Sequence, residues 1–142
     1  ELKKAYPHIS LALAGNNGGA FRGEGITALG SLAEEEMAQM LSHTSSLIVP
    51  SLAENSPLVI AEAAARGTVS IVSSVGGMPD MVASLEAGNI FSHGVGLYES
   101  MAKVAERDDH SLRASREALS ARAIALLSPA SVSQQYDDLY SV

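Results

Sequence analysis

The 142-residue sequence contains no cysteine. Disulfides, cysteine-ligated zinc and a thiol nucleophile are therefore excluded; the absence also fits a cytosolic protein. Positive charge is scarce. Nine Lys and Arg stand against 16 Asp and Glu, for a formal net charge of -7. That balance argues against a general nucleic-acid or anionic-membrane surface. It leaves room for a small anion, because a helix N-terminus holds phosphate without net positive charge. No apolar run approaches the roughly 20 residues of a membrane span, and no signal peptide is visible. What is present is the material of one ordinary domain: 46% apolar residues and 18% charged, enough for a real core. The opening "ELKKAYP" has no initiator Met. It reads as the last turns of a helix already under way, so the chain is expected to be a piece of a larger protein.

Along the chain, apolar runs and helical patterns alternate. "ISLALAG" predicts a buried strand over 9–14, and "NNGGAFRGEG" a Gly/Asn loop. "ITALG" predicts a second strand. Ser31 and Glu34 form an S-x-x-E capping box ahead of an amphipathic helix with Ala33, Met37, Met40 and Leu41 on one face. "SSLIVPS" lacks alternation and predicts a third strand buried on both sides. Ser56 is the expected N-cap of the next helix, with Pro57 at its first position and Gly67 just past its end. "VSIVSS" predicts a fourth strand, "VGGMPD" a turn, "PDMVASLE" a short helix and "NIF" a brief fifth strand. Helices are expected over about 95–107, about 109–127 and from Pro129 onward. There is no internal repeat. The alternation points to an α/β fold, a Rossmann-like parallel sheet flanked by helices. Ligands bind such sheets beyond the carboxyl ends of the strands, so the loops of interest are 15–25, 30–31, 50–57 and 74–80.

The stretch 51–67, "SLAENSPLVIAEAAARG", carries the most chemistry. The amides of Ser56, Leu58 and Val59, together with the helix dipole, make an anion site suited to phosphate or diphosphate. Glu54 lies just before the helix and can accept hydrogen bonds from hydroxyls attached to that anion. Glu62 lies about 7.5 Å along the helix, where a carboxylate can hold a vicinal diol such as a ribose. Taken singly, Ser56 reads as a simple cap, Glu54 as a solvated loop acid and Glu62 as a helix-edge charge. Together, at the ligand end of a parallel sheet, they read as a binding site.

The same residues carry a resemblance. Pro50, Ser51, Glu54, Leu58, Val59, Glu62, Ala63, Ala65 and Gly67, followed by Gly76, Gly77, Pro79 and Asp80, resemble the signature of the retaining GT-B glycosyltransferases of the glycogen-synthase-like group (glycosyltransferase family 4, group 1). The hallmark of that family is E-x7-E, the spacing of Glu54 and Glu62. "ISLALAG", the segment from "ITALG" to "IVPS", and "QQYDDLY" are similar to family elements too, so the resemblance spans nearly the whole chain. It implies that residues 1–142 are a single C-terminal nucleotide-sugar-binding domain, one half of a GT-B fold. The reaction would be sugar transfer from a donor such as a UDP- or GDP-sugar, with retained anomeric configuration, no metal and no cofactor. Glu54 would be the catalytic residue, contacting hydroxyls of the transferred sugar, and Glu62 would hold the ribose. Amides around Ser56, Leu58 and Val59 would face the diphosphate. Gly76 and Gly77 would let a loop approach the donor, and the base would lie near Leu29 and Ser31.

The sequence departs from the family in several places. The first strand of this domain, with its basic pair for the diphosphate, and the acceptor-binding N-terminal domain would both precede Glu1. The usual Gly-Asp-Gly-Pro turn is replaced by Gly15-Asn16-Asn17-Gly18-Gly19. Val69 stands where proline is common. The expectation is a fragment inactive alone, whose acceptor (a saccharide, lipid or small molecule) binds elsewhere. The full-length protein is expected in the cytoplasm, including the cytoplasmic membrane face. Tyr136, Leu139 and Tyr140 form an apolar helical stripe; it packs in a core, or it is an interdomain surface whose exposure drives self-association.

Two other classes compete with this reading. A non-catalytic nucleotide- or sugar-binding module would share this donor chemistry. A dehydrogenase needs G-x-G-x-x-G, which "GNNGGAFRGEG" does not provide, and no P-loop Gly-Lys-Ser/Thr follows. That segment reads as a flexible loop, with Arg22 available to a phosphate. His8, His43, His93 and His110 lack zinc-ligand spacing; His43 suits a helix C-terminus and His93 a loop. "AERDDHSLRASREAL" reads as a solvated, mixed-charge helical face.

Overall fold

The computed structural model describes residues 1–16, 21–92 and 95–141, with the side chain of Asp109 outside that description. Residues 17–20 of the glycine-rich loop and His93 thus lie outside the described residues. Two compact units are present, Glu1–Met40 and Leu41–Val142.

The first unit begins with a single helical turn, α1 (Leu2–Ala5). The Lys3 ammonium donates to the Ile9 carbonyl at 2.8 Å and also to that of Pro7. Strands β1 (Leu11–Ala14) and β2 (Ile26–Gly30) pair in parallel, Leu11 opposite Ile26, with a register shift between Leu13 and Ala14. The expected continuous burial of the first strand is not what forms. Leu11 and Leu13 are half-buried while Ala12 and Ala14 are exposed. A two-stranded ribbon shields one face, so a period of two appears along it. Helix α2 (Glu34–His43) follows, its last residues, from Leu41, belonging to the second unit. Its cap is not the predicted Ser31–Glu34 box. The Glu36 carboxylate reaches back to the Ala33 amide at 2.8 Å, and the Ser31 hydroxyl bonds Asn16 instead. The reciprocal half of a box is missing because Ala33 has no side-chain acceptor.

The second unit holds β3 (Ser46–Val49), α3 (Leu58–Ala65), β4 (Val69–Ser73), α4 (Met78–Leu85), β5 (Gly88–Phe91), α5 (Leu97–Ala105), α6 (Asp109–Leu127) and α7 (Pro129–Tyr140). The three strands are parallel in the order β3-β4-β5, with Val49 opposite Val72 and Val72 opposite Ile90. Only the central strand is buried nearly throughout. β3, expected to be buried on both sides, is half-buried along its length, since it has one neighbour in this sheet.

The side chains of β4 alternate between two cores. Val72 packs with Ile60 of α3 and with Met78 and Val82 of α4. Ile71 packs with Phe91 and with Val104 of α5. Ala64, Leu85, Ala87, Leu119 and Ala123 form a third cluster where α6 meets α3 and α4. The small residues let the backbones approach closely. At Gly67, with φ of +73°, a Cβ would lie 2.4 Å from the Arg116 carbonyl oxygen. The same glycine closes α3 in a Schellman motif: Thr68 N–H bonds Ala63 C=O at 2.8 Å, and Gly67 N–H bonds Ala64 C=O at 2.9 Å.

The α6 face expected to be solvated does structural work. The Arg116 guanidinium donates to the carbonyls of Thr44 at 2.7 Å, Ser42, and Arg66 at 3.4 Å, and the Ser120 hydroxyl donates to Ala65 C=O at 2.7 Å. Asp108 caps α6 through Ser111 N–H, and Ser128 caps α7 through Ser131 N–H with Pro129 in the first turn. The α7 stripe stays exposed: Tyr136 59%, Leu139 66% and Tyr140 76%.

Candidate functional site

The carboxyl ends of β3 and β4 deliver the loops 50–57 and 74–77, and the structure ties these loops together. The buried Ser73 hydroxyl, at the end of β4, donates to Ser51 C=O at 2.6 Å. Gly77 N–H donates to Asn55 C=O at 2.7 Å. Gly76 has φ of +55°, and a Cβ there would sit 1.7 Å from the Glu54 carbonyl oxygen. A Cβ on Gly77 would sit 2.7 Å from the Asn55 carbonyl oxygen. The contact that makes glycine obligatory at these two positions is therefore with the chain's own backbone, which the loop clamps beside Glu54. Asn55 and Ser73 are the positioning residues that sequence reasoning missed. Their contacts run through backbone carbonyls, which leave no side-chain pattern; the only available signal was the paired glycine itself.

Glu54 is exposed, and its Oε1 accepts the Asn55 amide at 3.0 Å. Glu62 is exposed as well, in the middle of α3. Its position is four residues from Leu58, which is 75% exposed, so both lie on the face of α3 away from Ile60, Ala63 and Ala64. The carboxylate thus does not intrude on the core. Its backbone carbonyl accepts from the Arg66 guanidinium at 3.0 Å.

The predicted cap at Ser56 requires correction. The N-cap of α3 is Pro57, extended at φ -71° and ψ 120°, and the helix begins at Leu58. The Ser56 hydroxyl turns to the Met81 sulfur at 3.1 Å, and no side chain caps the helix. Proline's fixed φ suits the extended cap position as well as the first helical one, which moves the start by a residue. Ile60 N–H bonds Pro57 C=O at 3.1 Å. The amides of Leu58 and Val59 lie in the first turn, where a helix has no internal acceptor for them. An uncapped helix start is thus flanked in sequence by two exposed carboxylates.

Leu29 and Ser31 belong to the first unit. They stand at the carboxyl end of β2, where Leu29 is 39% exposed and Ser31 bonds Asn16. Arg22 is exposed. Asp80 lies in the first turn of α4 and His43 in the last turn of α2, both on the favourable side of the helix dipole. Among the described residues no three His, Asp or Glu side chains gather as a metal site. Among them, too, no helix is long and apolar enough to cross a membrane.

Comparison with known proteins decides the family. The model of the Glycosyl transferases group 1 matches residues 1–107. The chain belongs to this family. Among solved structures, it superposes on the crystal structure of AviGT4, a glycosyltransferase involved in Avilamycin A biosynthesis, with a TM-score of 0.69 at 18% identity. The superposition covers 99% of this chain and 45% of AviGT4, so this member spans less than half the length of that relative. No curated protein matches the chain. The fold is that of one half of a GT-B glycosyltransferase, parallel sheets flanked by helices.

Proposed function

We propose that this chain is the donor-binding half of a retaining glycosyltransferase of the E-x7-E type, taking a nucleotide sugar. The observation that carries the reading is the uncapped start of α3 between Glu54 and Glu62 in a member of this family. In this reading the Leu58 and Val59 amides, with Ser56 beside them, face the diphosphate. The aligned helix dipole stabilises the negative charge that develops on it as the bond to the anomeric carbon breaks. That stabilisation takes the place of a metal ion. Glu54, clamped by Gly76 and Gly77, holds hydroxyls of the transferred sugar. Glu62 holds the ribose diol. The acceptor (a saccharide, lipid or small molecule) binds a part of the protein outside these residues.

Calorimetric titration with UDP, GDP and the corresponding glucose and mannose donors tests this division. Glu62→Ala weakens the free nucleotide and the nucleotide sugar alike. Glu54→Ala weakens the nucleotide sugar and spares the free nucleotide. Each lost carboxylate contact is worth about 1.5–3 kcal/mol, about 10- to 100-fold in Kd. Equal effects of the two substitutions on free nucleotide would sink the assignment.

A further inference from the structure

A cavity of the second unit with a cationic wall lies away from the two glutamates, at the amino ends of β4 and β5. It has a volume of about 390 Å³ and is bounded by Val69 and Gly88 at the strand starts, by α5 and by α6. Three of its lining residues are cationic, Lys103, Arg107 and Arg122, against one carboxylate, Glu86. In a chain of net charge -7, a concavity with two excess positive charges is a local reversal of sign.

Two of the cations are held in place by largely neutral groups. The Arg107 guanidinium donates to Ser111 C=O at 3.4 Å and to the Ser115 hydroxyl. The Arg122 guanidinium donates to Leu85 C=O at 3.0 Å and pairs with Glu86 at 3.0 Å. A guanidinium has five N–H donors, so these bonds orient each group and leave donors over. Lys103 adds a point charge from the last turn of α5. Glu86 is itself held in the left-handed region, φ +47°, the one non-glycine residue there among the described residues. Its carboxylate pairs with Arg122 at the exposed rim of the cavity.

We propose that this cavity binds a small phosphomonoester with an organic group the size of a monosaccharide. Two excess cations match a phosphate dianion, which oriented guanidinium groups recognise through paired hydrogen bonds. Inorganic phosphate would leave most of the volume empty, whereas small-molecule sites run from about 300 Å³ upward. Val104, Ala118 and Leu119 offer an apolar wall for the organic part, and Asn89 offers an amide for its hydroxyls. The site stands apart from the donor site and does not depend on the reading of Glu54 and Glu62.

The test is calorimetric titration of the purified protein with 2-deoxyribose 5-phosphate, which lacks the vicinal diol assigned to Glu62, with inorganic phosphate and with 2-deoxyribose. The sugar phosphate saturates one site, phosphate binds more weakly and 2-deoxyribose does not bind. Lys103, an exposed side chain, is the residue to change without disturbing the fold. Lys103→Glu weakens 2-deoxyribose 5-phosphate about tenfold or more, while Lys4→Glu, the same charge change at an exposed residue of α1, leaves it unchanged. Two results overturn the proposal: no saturable binding of 2-deoxyribose 5-phosphate, or an affinity that Lys103→Glu lowers no more than Lys4→Glu does. Phosphate binding as tightly as the sugar phosphate overturns the organic part of the ligand.

Discussion

Gly76 offers the sharpest perturbation of the site's scaffold. Alanine there meets two obstacles. The first is conformational: φ of +55° is left-handed, which costs an L-residue about 1–2 kcal/mol. The second is steric. The added Cβ would lie 1.7 Å from the Glu54 carbonyl oxygen and 3.3 Å from Asn55 Cα, and both are backbone atoms that cannot rotate away. The 54–55 segment must retreat, which breaks the 2.7 Å bond from Gly77 N–H to Asn55 C=O at about 1 kcal/mol. Gly76→Ala is expected to destabilise the second unit by about 2–3 kcal/mol. Gly96→Ala is the control. Its φ is +90°, but among the described residues its Cβ would meet only Phe91, with the Cβ at an ordinary 3.6 Å, so it suffers the conformational cost alone. Urea denaturation of both variants measures the difference. Gly76→Ala should lose at least about 1 kcal/mol more than Gly96→Ala, and its nucleotide-sugar affinity should fall because Glu54 has moved. Equal losses in the two variants would refute the clamp.

Other outcomes follow from single contacts. Ser70 is fully buried and its hydroxyl is the one buried side-chain oxygen without a hydrogen-bond partner among the described residues; Ser70→Ala should be neutral or stabilising by up to about 1 kcal/mol in urea denaturation. Arg116→Ala removes donors from the carbonyls of Thr44, Ser42 and Arg66 and should cost about 2–4 kcal/mol in the same assay. The exposed stripe on α7 should promote self-association. Replacing Tyr136 and Leu139 by Gln should then lower the sedimentation-average mass at high concentration, and an unchanged monomer in both proteins would contradict that.

Helices with complete local signals were legible in the sequence. Asp108 and Ser128 bracket α6 and α7 as side-chain caps, and Pro129 opens the second of them, so their limits follow from chemistry within a few residues. Gly67 was equally plain as the end of α3. The starts of α2 and α3 were not. Ser31 and Ser56 are good caps in isolation, but each hydroxyl is drawn to a partner distant in sequence, Asn16 and Met81. Composition alone could not foresee that competition. Burial was misjudged where it depends on the number of neighbouring strands, as at Leu11–Ala14 and Ser46–Val49. Glu54 and Glu62 stood out by spacing, yet what holds Glu54 in place is a backbone contact of Gly76. The cationic cavity was invisible for a similar reason. Lys103 on α5, Arg107 in the connection after it and Arg122 on α6 look like solvated charge until the fold brings them to one cavity at the starts of β4 and β5.

The central claim is that a diphosphate sits at the start of α3 between the two glutamates. The most direct measurement is NMR titration of isotope-labelled protein with UDP and GDP, following backbone amides. The account predicts that the Leu58 and Val59 amides shift most, and that Glu62→Ala weakens the saturating response without relocating it. Saturable nucleotide binding that leaves those two amides unmoved would contradict the claim.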